Sequence, residues 1–295
     1  MSEAEILAPG LRVVTAPNAG PMTFTGTRSY LLGSGEVAVI DPGPNDPRHL
    51  DALERALGPG ERVRAVLVTH AHLDHSAGAS AFAARVGAEV LAHGDPLGAR
   101  SPAMARAAEA GGLGGGEGLD LAFRPDRRIG EGEVFAGPGW TLRALATPGH
   151  TADHLAFAWD EGKALFSGDL VMGWSTTVIS PPDGDLAAYR DSLARLRERN
   201  DQVFYPGHGA PVTEPGRLMR HMLVHRTARE AQLLGALEAG PSGVPALVAL
   251  VYRDLDPALR GAAARNVLAH LIDLEARGKL RVVEGRGAAG IYALV

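Results

Sequence analysis

The segment THAHLDH, residues 69–75, sets His70, His72, Asp74 and His75 within six positions. It follows an apolar run, and a turn at the end of a strand can aim His70 and His72 at one ion while Asp74 and His75 swing toward a second. Helical i,i+4 spacing would not do this. His150 in TPGHT and His208 in YPGHG each follow a Pro-Gly pair, and Asp169 closes SGD; small residues let the backbone approach a crowded site. Neutral imidazole and carboxylate donors suit zinc, with manganese or iron compatible, whereas calcium or magnesium would call for mostly oxygen ligands. The expected cofactor is therefore a pair of Zn2+ ions. The chain has no cysteine, which excludes disulfides, thiolate ligation and a cysteine nucleophile. A lone buried histidine is ordinarily a satisfied core residue, and a lone Asp before a turn is ordinarily a cap. Seven such residues in this arrangement point instead to metal chemistry.

Two divalent ions, less Asp74, Asp169 and one bridging hydroxide, leave about one positive charge, so such a site attracts anions. Paired ions bring the pKa of bound water toward neutrality and polarise the group under attack, which removes the need for a protein nucleophile. Asp41 in AVIDPGP ends an earlier strand and is placed to orient the metal-loop histidines, the plainer alternative being a turn before Pro42. His154, four residues past His150, reads as a supporting or structural histidine rather than a ligand.

These residues need strands that stop beside one another. The runs SYLLG, EVAVID, VRAVLVTH, AEVLAH, TLRALATPGH, LAFAW, KALFSGD and QVFYPGH read as strands, and those ending at His70, His150, Asp169 and His208 run straight into candidate ligands. Polar residues just past the carboxyl ends of buried strands are where layered α/β proteins place their chemistry. Helices are expected at 48–57, 77–87 and 185–199, the last with Leu186, Tyr189, Leu193 and Leu196 at helical spacing. The glycine-rich stretch 107–118 lacks the Lys and Ser/Thr of a phosphate loop and reads as a flexible surface loop. After Pro215 the pattern changes to helices at 216–239, 245–252 and 258–277, then RVVEGRGAAGIYALV, a hairpin around Gly285 and Gly287. The expected division is residues 1–214 as a catalytic domain and 215–295 as a helical connector with a small winged-helix-like domain.

Of the 295 residues, 45% are hydrophobic and 21% charged, which fits a globular protein with one large domain and a small one. No apolar run of about 18 residues is present, so no membrane partner is expected. The first residues are acidic and match neither a secretory signal nor a transit peptide, so the expected location is the cytoplasm. Residues 215–295 carry 11 Lys+Arg against 7 Asp+Glu in a chain of net charge −5. That basic tail lacks the dense stripe of a strong nucleic-acid binder, and solvated surface charge is the better reading of it. Nothing in the sequence sets an oligomeric state.

The motif set THAHLDH, His150, Asp169 and His208 resembles the metallo-β-lactamase superfamily, whose αββα sandwich would cover roughly residues 11–214. The resemblance implies His70, His72 and His150 on a first metal, Asp74, His75 and His208 on a second, and Asp169 bridging them. GPMTFTGTRSYLLG, the block from Ser167 to Leu196, YPGHGAPV and HMLVHRTAREAQLL are similar to the branch that includes β-lactamase-like protein 2 and its bacterial relatives. The fold class expected is thus α+β, a sandwich with a winged-helix-like tail. A eukaryotic mitochondrial member of that branch is an endoribonuclease on single-stranded RNA, so the implied activity is a metal-dependent phosphodiesterase on such RNA. The absence of a mitochondrial presequence leaves the organellar role behind. Ser175, Thr176, Thr177, His225 and Arg226 are the candidate substrate contacts. The competing reading is a thioester or ester hydrolase of the glyoxalase II type, whose ligand set is similar. A non-catalytic winged-helix binding protein is disfavoured by the intact ligand set, and a lactam hydrolase by Asp74 and Asp169.

Overall fold

Period-two alternation in the strands divides their apolar residues between two faces. Leu155, Phe157 and Trp159 enter one core cluster while Ala156 and Ala158 enter another. Tyr30, Leu32, Ala38 and Ile40 likewise join the first cluster, with Leu31, Val37 and Val39 turned to the opposite face. Strands buried on both faces must be covered on both, and the result is four layers. The computed structural model describes residues 4–111 and 118–295.

The first sheet is seven-stranded, with β1 (Glu5–Ala8), β2 (Leu11–Thr15), β3 (Arg28–Ser34), β4 (Glu36–Ile40), β5 (Arg62–Leu67), β6 (Val90–Ala92) and β7 (Arg127–Arg128) in sequential order. Pairing is antiparallel up to β4 and parallel from β4 onward. The second sheet runs β12-β11-β10-β9-β8, built from β8 (Val134–Gly137), β9 (Trp140–Ala146), β10 (Leu155–Trp159), β11 (Ala164–Gly168) and β12 (Val203–Pro206), with β11 and β12 parallel. The two sheets face each other across the first cluster, centred on Trp140, Phe157 and Phe166. Helices α1 (Pro47–Arg55), the one-turn α2 (Leu73–Ser76) and α3 (Ala79–Val86) lie on the first-sheet side, where Leu50, Leu53 and Phe82 cover Leu31, Val39 and Val66. Helix α4 (Pro102–Ala110) follows, then α5 (Leu186–Arg197), which seats the four apolar residues expected of it, Leu186, Tyr189, Leu193 and Leu196, on the second sheet.

Helix α6 (Pro215–Leu237) leaves the sandwich. Met219 and Met222 belong to the second-sheet layer, whereas Leu233 and Leu237 belong to a separate core with Leu247, Val267, Leu271 and Tyr292. That core is closed by α7 (Val244–Val251), α8 (Arg260–Ala276) and a three-stranded sheet of β13 (Ser242–Gly243), β14 (Leu280–Glu284) and β15 (Ile291–Leu294). The hairpin expected near Gly285 and Gly287 is the β14–β15 pair, and both glycines have positive φ.

One expectation is corrected. The loop reading of 107–118 fails at its start: residues 107–110 belong to α4, which Ser101 caps by accepting from the Met104 amide, with Pro102 in the first turn. Its run of alanines has high helix propensity but too few large apolar residues for a periodic signal; residues 112–117 lie outside the described residues. The short strands β1, β2, β7 and β8 were also not anticipated, because two to five residues give too little alternation to read. Among the described residues no helix is long and apolar enough to cross a membrane.

Phe157 is fully buried between the sheets. Phe157→Ala is expected to lower the unfolding free energy by about 3–5 kcal/mol in urea titrations, the cost of a large aromatic cavity.

Candidate metal centre

Parallel neighbours end on the same side of a sheet, and this brings the polar residues together. β4 runs into Asp41 and β5 leads through Val68 and Thr69 into His70, while in the other sheet β11 runs into Asp169 and β12 leads through Gly207 into His208. The strand β9 delivers His150 after its Thr-Pro-Gly turn. The sheets are stitched together at this edge by the Arg28 amide to the Gly207 carbonyl (2.8 Å) and the Leu155 amide to the Thr69 carbonyl (2.7 Å).

All seven expected ligands converge. His70 Nε2 lies 2.9 Å and His150 Nε2 3.0 Å from His72 Nδ1, so three imidazole nitrogens face one point. Asp74 Oδ2 lies 3.4 Å from His75 Nε2 and 3.2 Å from His208 Nε2, forming a second group. Asp169 stands between the groups, with Oδ2 3.7 Å from His150 Nε2 and 3.4 Å from His208 Nε2, and Oδ1 3.5 Å from His75 Nε2. His75 Nε2 and Asp169 Oδ1 are buried without a hydrogen-bond partner among the described residues. Nitrogen lone pairs crowded around one point and an unsatisfied buried imidazole facing an unsatisfied buried carboxylate are the donor arrangement a divalent cation completes. A Cβ on Gly207 would stand 2.4 Å from Asp169 Oδ1 and 2.6 Å from His75 Cε1, so the space needs a glycine there.

The opposite nitrogen of several rings is committed to an acceptor, which fixes the tautomer. His150 Nδ1 donates to the Val178 carbonyl (3.1 Å), and His208 Nδ1 to the Gly26 carbonyl (3.3 Å). His75 Nδ1 donates to Asp41 Oδ2 (2.9 Å), and the Asp41 carboxylate also accepts from the Thr69 amide (2.7 Å) and hydroxyl (2.8 Å). Thr69 Oγ1 in turn lies 2.9 Å from His70 Nδ1. Asp41 sits at φ 51°, a strained backbone for a residue with a Cβ, which its three hydrogen bonds hold in place. Two further side chains support the donors. Thr27, which the sequence did not single out, donates from Oγ1 to Asp74 Oδ2 (2.9 Å). His154, read from the sequence as a supporting histidine, accepts the Asp169 amide at Nε2 (3.2 Å) while Nδ1 contacts Thr147 Oγ1 (2.8 Å).

Electrostatically the two groups differ. Burial, reinforced by the neighbouring imidazoles, holds His70 well below its ordinary pKa and takes His72 down to about 3; burial also lowers His150. Burial pulls on His75 and His208 too, but Asp74 and Asp169, with Asp41 beside His75, outweigh it. His75 rises well above its ordinary value and His208 to about 9. Asp74 and Asp169 are held low despite burial, by His75 and His208. One group is thus a neutral imidazole cage and the other a charge-paired cluster whose protons a metal would displace.

The candidate substrate contacts separate. Ser175, next to Trp174, is exposed, Thr176 is half-buried, and His225 is half-buried on α6. Thr177 and Arg226 do not face solvent. Thr177 is fully buried with its hydroxyl donating to the Asp169 carbonyl (2.8 Å), and Arg226, 3% exposed, donates to the Thr177 carbonyl and to Asn266 Oδ1 (2.9 Å). The expectation that these two touch substrate is corrected, because both are buried and the Thr177 hydroxyl and both Nη groups of Arg226 are bonded within the protein. Beside Gly209, which follows His208 in the chain, Phe24 and Trp174 stack with ring centroids 4.9 Å apart. They head a groove of about 580 Å³ that continues over Pro211, Val212 and Leu218 to Arg217 and His221.

The fold and the paired His/Asp groups define a metal-binding hydrolase of αββα architecture, and comparison with known proteins agrees. Residues 22–208 match the model of the metallo-β-lactamase superfamily and residues 244–288 that of the beta-lactamase associated winged helix domain. The chain belongs to the metallo-β-lactamase superfamily and ends in that winged-helix domain. It is 34% identical over 271 residues to a beta-lactamase-like protein 2 homolog of Drosophila melanogaster, covering 90% of this chain and 87% of the relative. It is 31% identical to an atrochrysone carboxyl ACP thioesterase of Aspergillus chevalieri, covering 80% and 68%. A metallo-beta-lactamase family protein from Thermus thermophilus superposes with a TM-score of 0.77 at 25% identity, covering 98% of this chain and 100% of that one.

Two outcomes follow from the site's charges. In metal-free protein the stability contributed by protonated His208 is fully present below its ordinary 6.5 and lost as pH rises through about 9. The melting temperature of the chelator-treated protein should therefore fall across that window, and metal added at pH 7.5 should release protons, read with an indicator dye in weak buffer. Asp41→Ala should weaken metal binding by about 10–100-fold in chelator competition; unchanged affinity would remove Asp41 from the supporting shell.

Proposed function

We propose that this protein is a dinuclear metal-dependent hydrolase. The observation that carries this reading is the pair of donor groups, His70/His72/His150 and Asp74/His75/His208, with Asp169 facing both. In this reading the first three residues hold one ion, the second three hold the other, Asp169 bridges, and Asp41 keeps Nε2 of His75 free to ligate. Zinc suits these donors best, with manganese and iron compatible. Two bound divalent ions supply Lewis acidity and bring the pKa of water toward neutrality. The chain's own contribution is to fix the donors' tautomers, to keep the His70/His72/His150 cage unprotonated and to line the approach.

For the substrate, we favour the phosphodiester of single-stranded RNA. The stacked Phe24–Trp174 pair offers a base platform, Arg217 and His221 lie along the same groove, and exposed Ser175 adjoins Trp174. A second reading, hydrolysis of a thioester, is favoured by the apolar Pro211, Val212 and Leu218 lining and by the likeness to a relative named as an acyl-carrier-protein thioesterase. Either reading makes the groove, rather than the tail, the place where substrate is held.

Elemental analysis of purified protein should find about two ions per chain, and Asp169→Ala should abolish turnover; full activity in that variant would overturn the mechanism. Incubation of the metal-loaded enzyme with mixed-sequence single-stranded RNA and, in parallel, with an acyl thioester separates the substrates. RNA cleavage is expected, and thioester cleavage without RNA cleavage would replace the first reading with the second. Trp174→Ala should weaken RNA binding by about 1–3 kcal/mol, the contribution of one stacked base.

A further inference from the structure

The segment 177–179 is gripped from two sides. On the side of the metal centre, Thr177 Oγ1 donates to the Asp169 carbonyl (2.8 Å) and reaches the Leu170 carbonyl (3.0 Å), and the Val178 carbonyl accepts Nδ1–H of His150 (3.1 Å). On the other side, the Thr177 carbonyl accepts from Arg226 of α6, and the Ile179 amide donates to Oδ1 of Asn266 on α8 (3.1 Å). Arg226 Nη1 donates to that same Asn266 oxygen (2.9 Å), and its guanidinium lies 5.3 Å from the Tyr189 ring centre on α5. Three consecutive peptide units therefore link two candidate ligands to a side chain of the winged-helix domain. From these contacts we infer that Arg226 and Asn266 are positioning residues for the metal centre, so that the docked winged-helix domain sets the geometry of His150 and Asp169. The inference rests on the dinuclear reading above.

The docking of α8 supports it. In a winged helix used to read nucleic acid, this second helix of the motif would be presented outward. Here Ala269 sits in the core layer of the second sheet, Asn266 is spent on Ile179 and Arg226, and Asp273 pairs with Arg190 of α5 (2.7 Å). Arg277 joins Asp273 (2.9 Å) and Glu230 of α6 (2.7 Å), closing an ion-pair network over α5, α6 and α8. That network fastens the domain but touches neither the 177–179 segment nor the ligands. The two sets of contacts can therefore be separated by mutation. Moving the Val178 carbonyl would rotate the His150 ring, and ligand orientation is what outer hydrogen bonds control.

The test uses the full chain, stripped of metal and reloaded with Co2+. Its visible absorption reports ligand geometry, and competition with a chelator reports affinity. Asn266→Leu and Arg226→Met should shift the Co2+ bands and weaken binding by about 10–100-fold, whereas Asn266→Asp, which keeps the acceptor oxygen, should restore both. Arg277→Gln, which cuts the ion-pair network alone, should lower the melting temperature without altering the spectrum. Should Arg226→Met fail to fold, the half-buried Asn266 pair of variants decides the matter. Unchanged bands and affinity in Asn266→Leu would overturn the positioning role, leaving domain packing only. If the unmodified chain took up no Co2+ at all, the dinuclear reading itself would fall, an outcome distinct from the first.

Discussion

His70 and His150 each hold a ring nitrogen against His72 Nδ1, at 2.9 Å and 3.0 Å, an arrangement that no isolated peptide would keep. His70 is buried and His72 and His150 are half-buried, and the neighbouring cluster of Asp74, His75, Asp169 and His208 adds two carboxylates and two imidazoles held positive in the absence of metal. Desolvated polar groups at this density destabilise a fold unless a cation or a complete set of partners satisfies them. Much of the remaining structure can be understood as what holds these groups in register against that cost.

The holding is done by backbone more than by side chains. Parallel pairing of β4 with β5 and of β11 with β12 brings four strand ends to one edge, and hydrogen bonds between the sheets close it. Asp41 adopts a left-handed conformation because its carboxylate serves Thr69 and His75 together. Gly168, at φ 48°, has no room for a Cβ beside His154 Nε2 (2.6 Å) and Thr69, so the turn that delivers Asp169 needs a residue without a side chain. Strain and close approach are thus concentrated where the donors meet.

The C-terminal domain belongs to the same framework. Helix α6 enters both cores, with Met219 and Met222 in the sandwich layer and Leu233 and Leu237 in the winged-helix core, so the two parts share an element. The interface is polar as well as apolar, which gives it direction: Asn266, Arg226 and Asp273 each reach a defined partner. An apolar contact alone would tolerate sliding of α8; hydrogen bonds of fixed length to the backbone at Thr177 and Ile179 do not.

The strands that lead to the candidate donors and the helical face of α5 were legible in the sequence, because each is carried by spacing within a few residues. THAHLDH reports its chemistry by density alone, and Leu186, Tyr189, Leu193 and Leu196 report one face of a helix by period. Short strands such as β7 and the alanine-rich α4 were not legible, since neither holds enough large apolar residues to generate a period. Thr177 and Arg226 looked like substrate contacts because a polar residue near a motif carries no mark of burial. Only the tertiary structure turned them inward. The bonds from Ile179 and Arg226 to Asn266 span 87 and 40 positions, and the stack of Phe24 on Trp174 likewise joins distant segments. Such contacts depend on how the sheets and helices pack against one another. Local sequence therefore determined which atoms this protein offers, and packing decided which way they point.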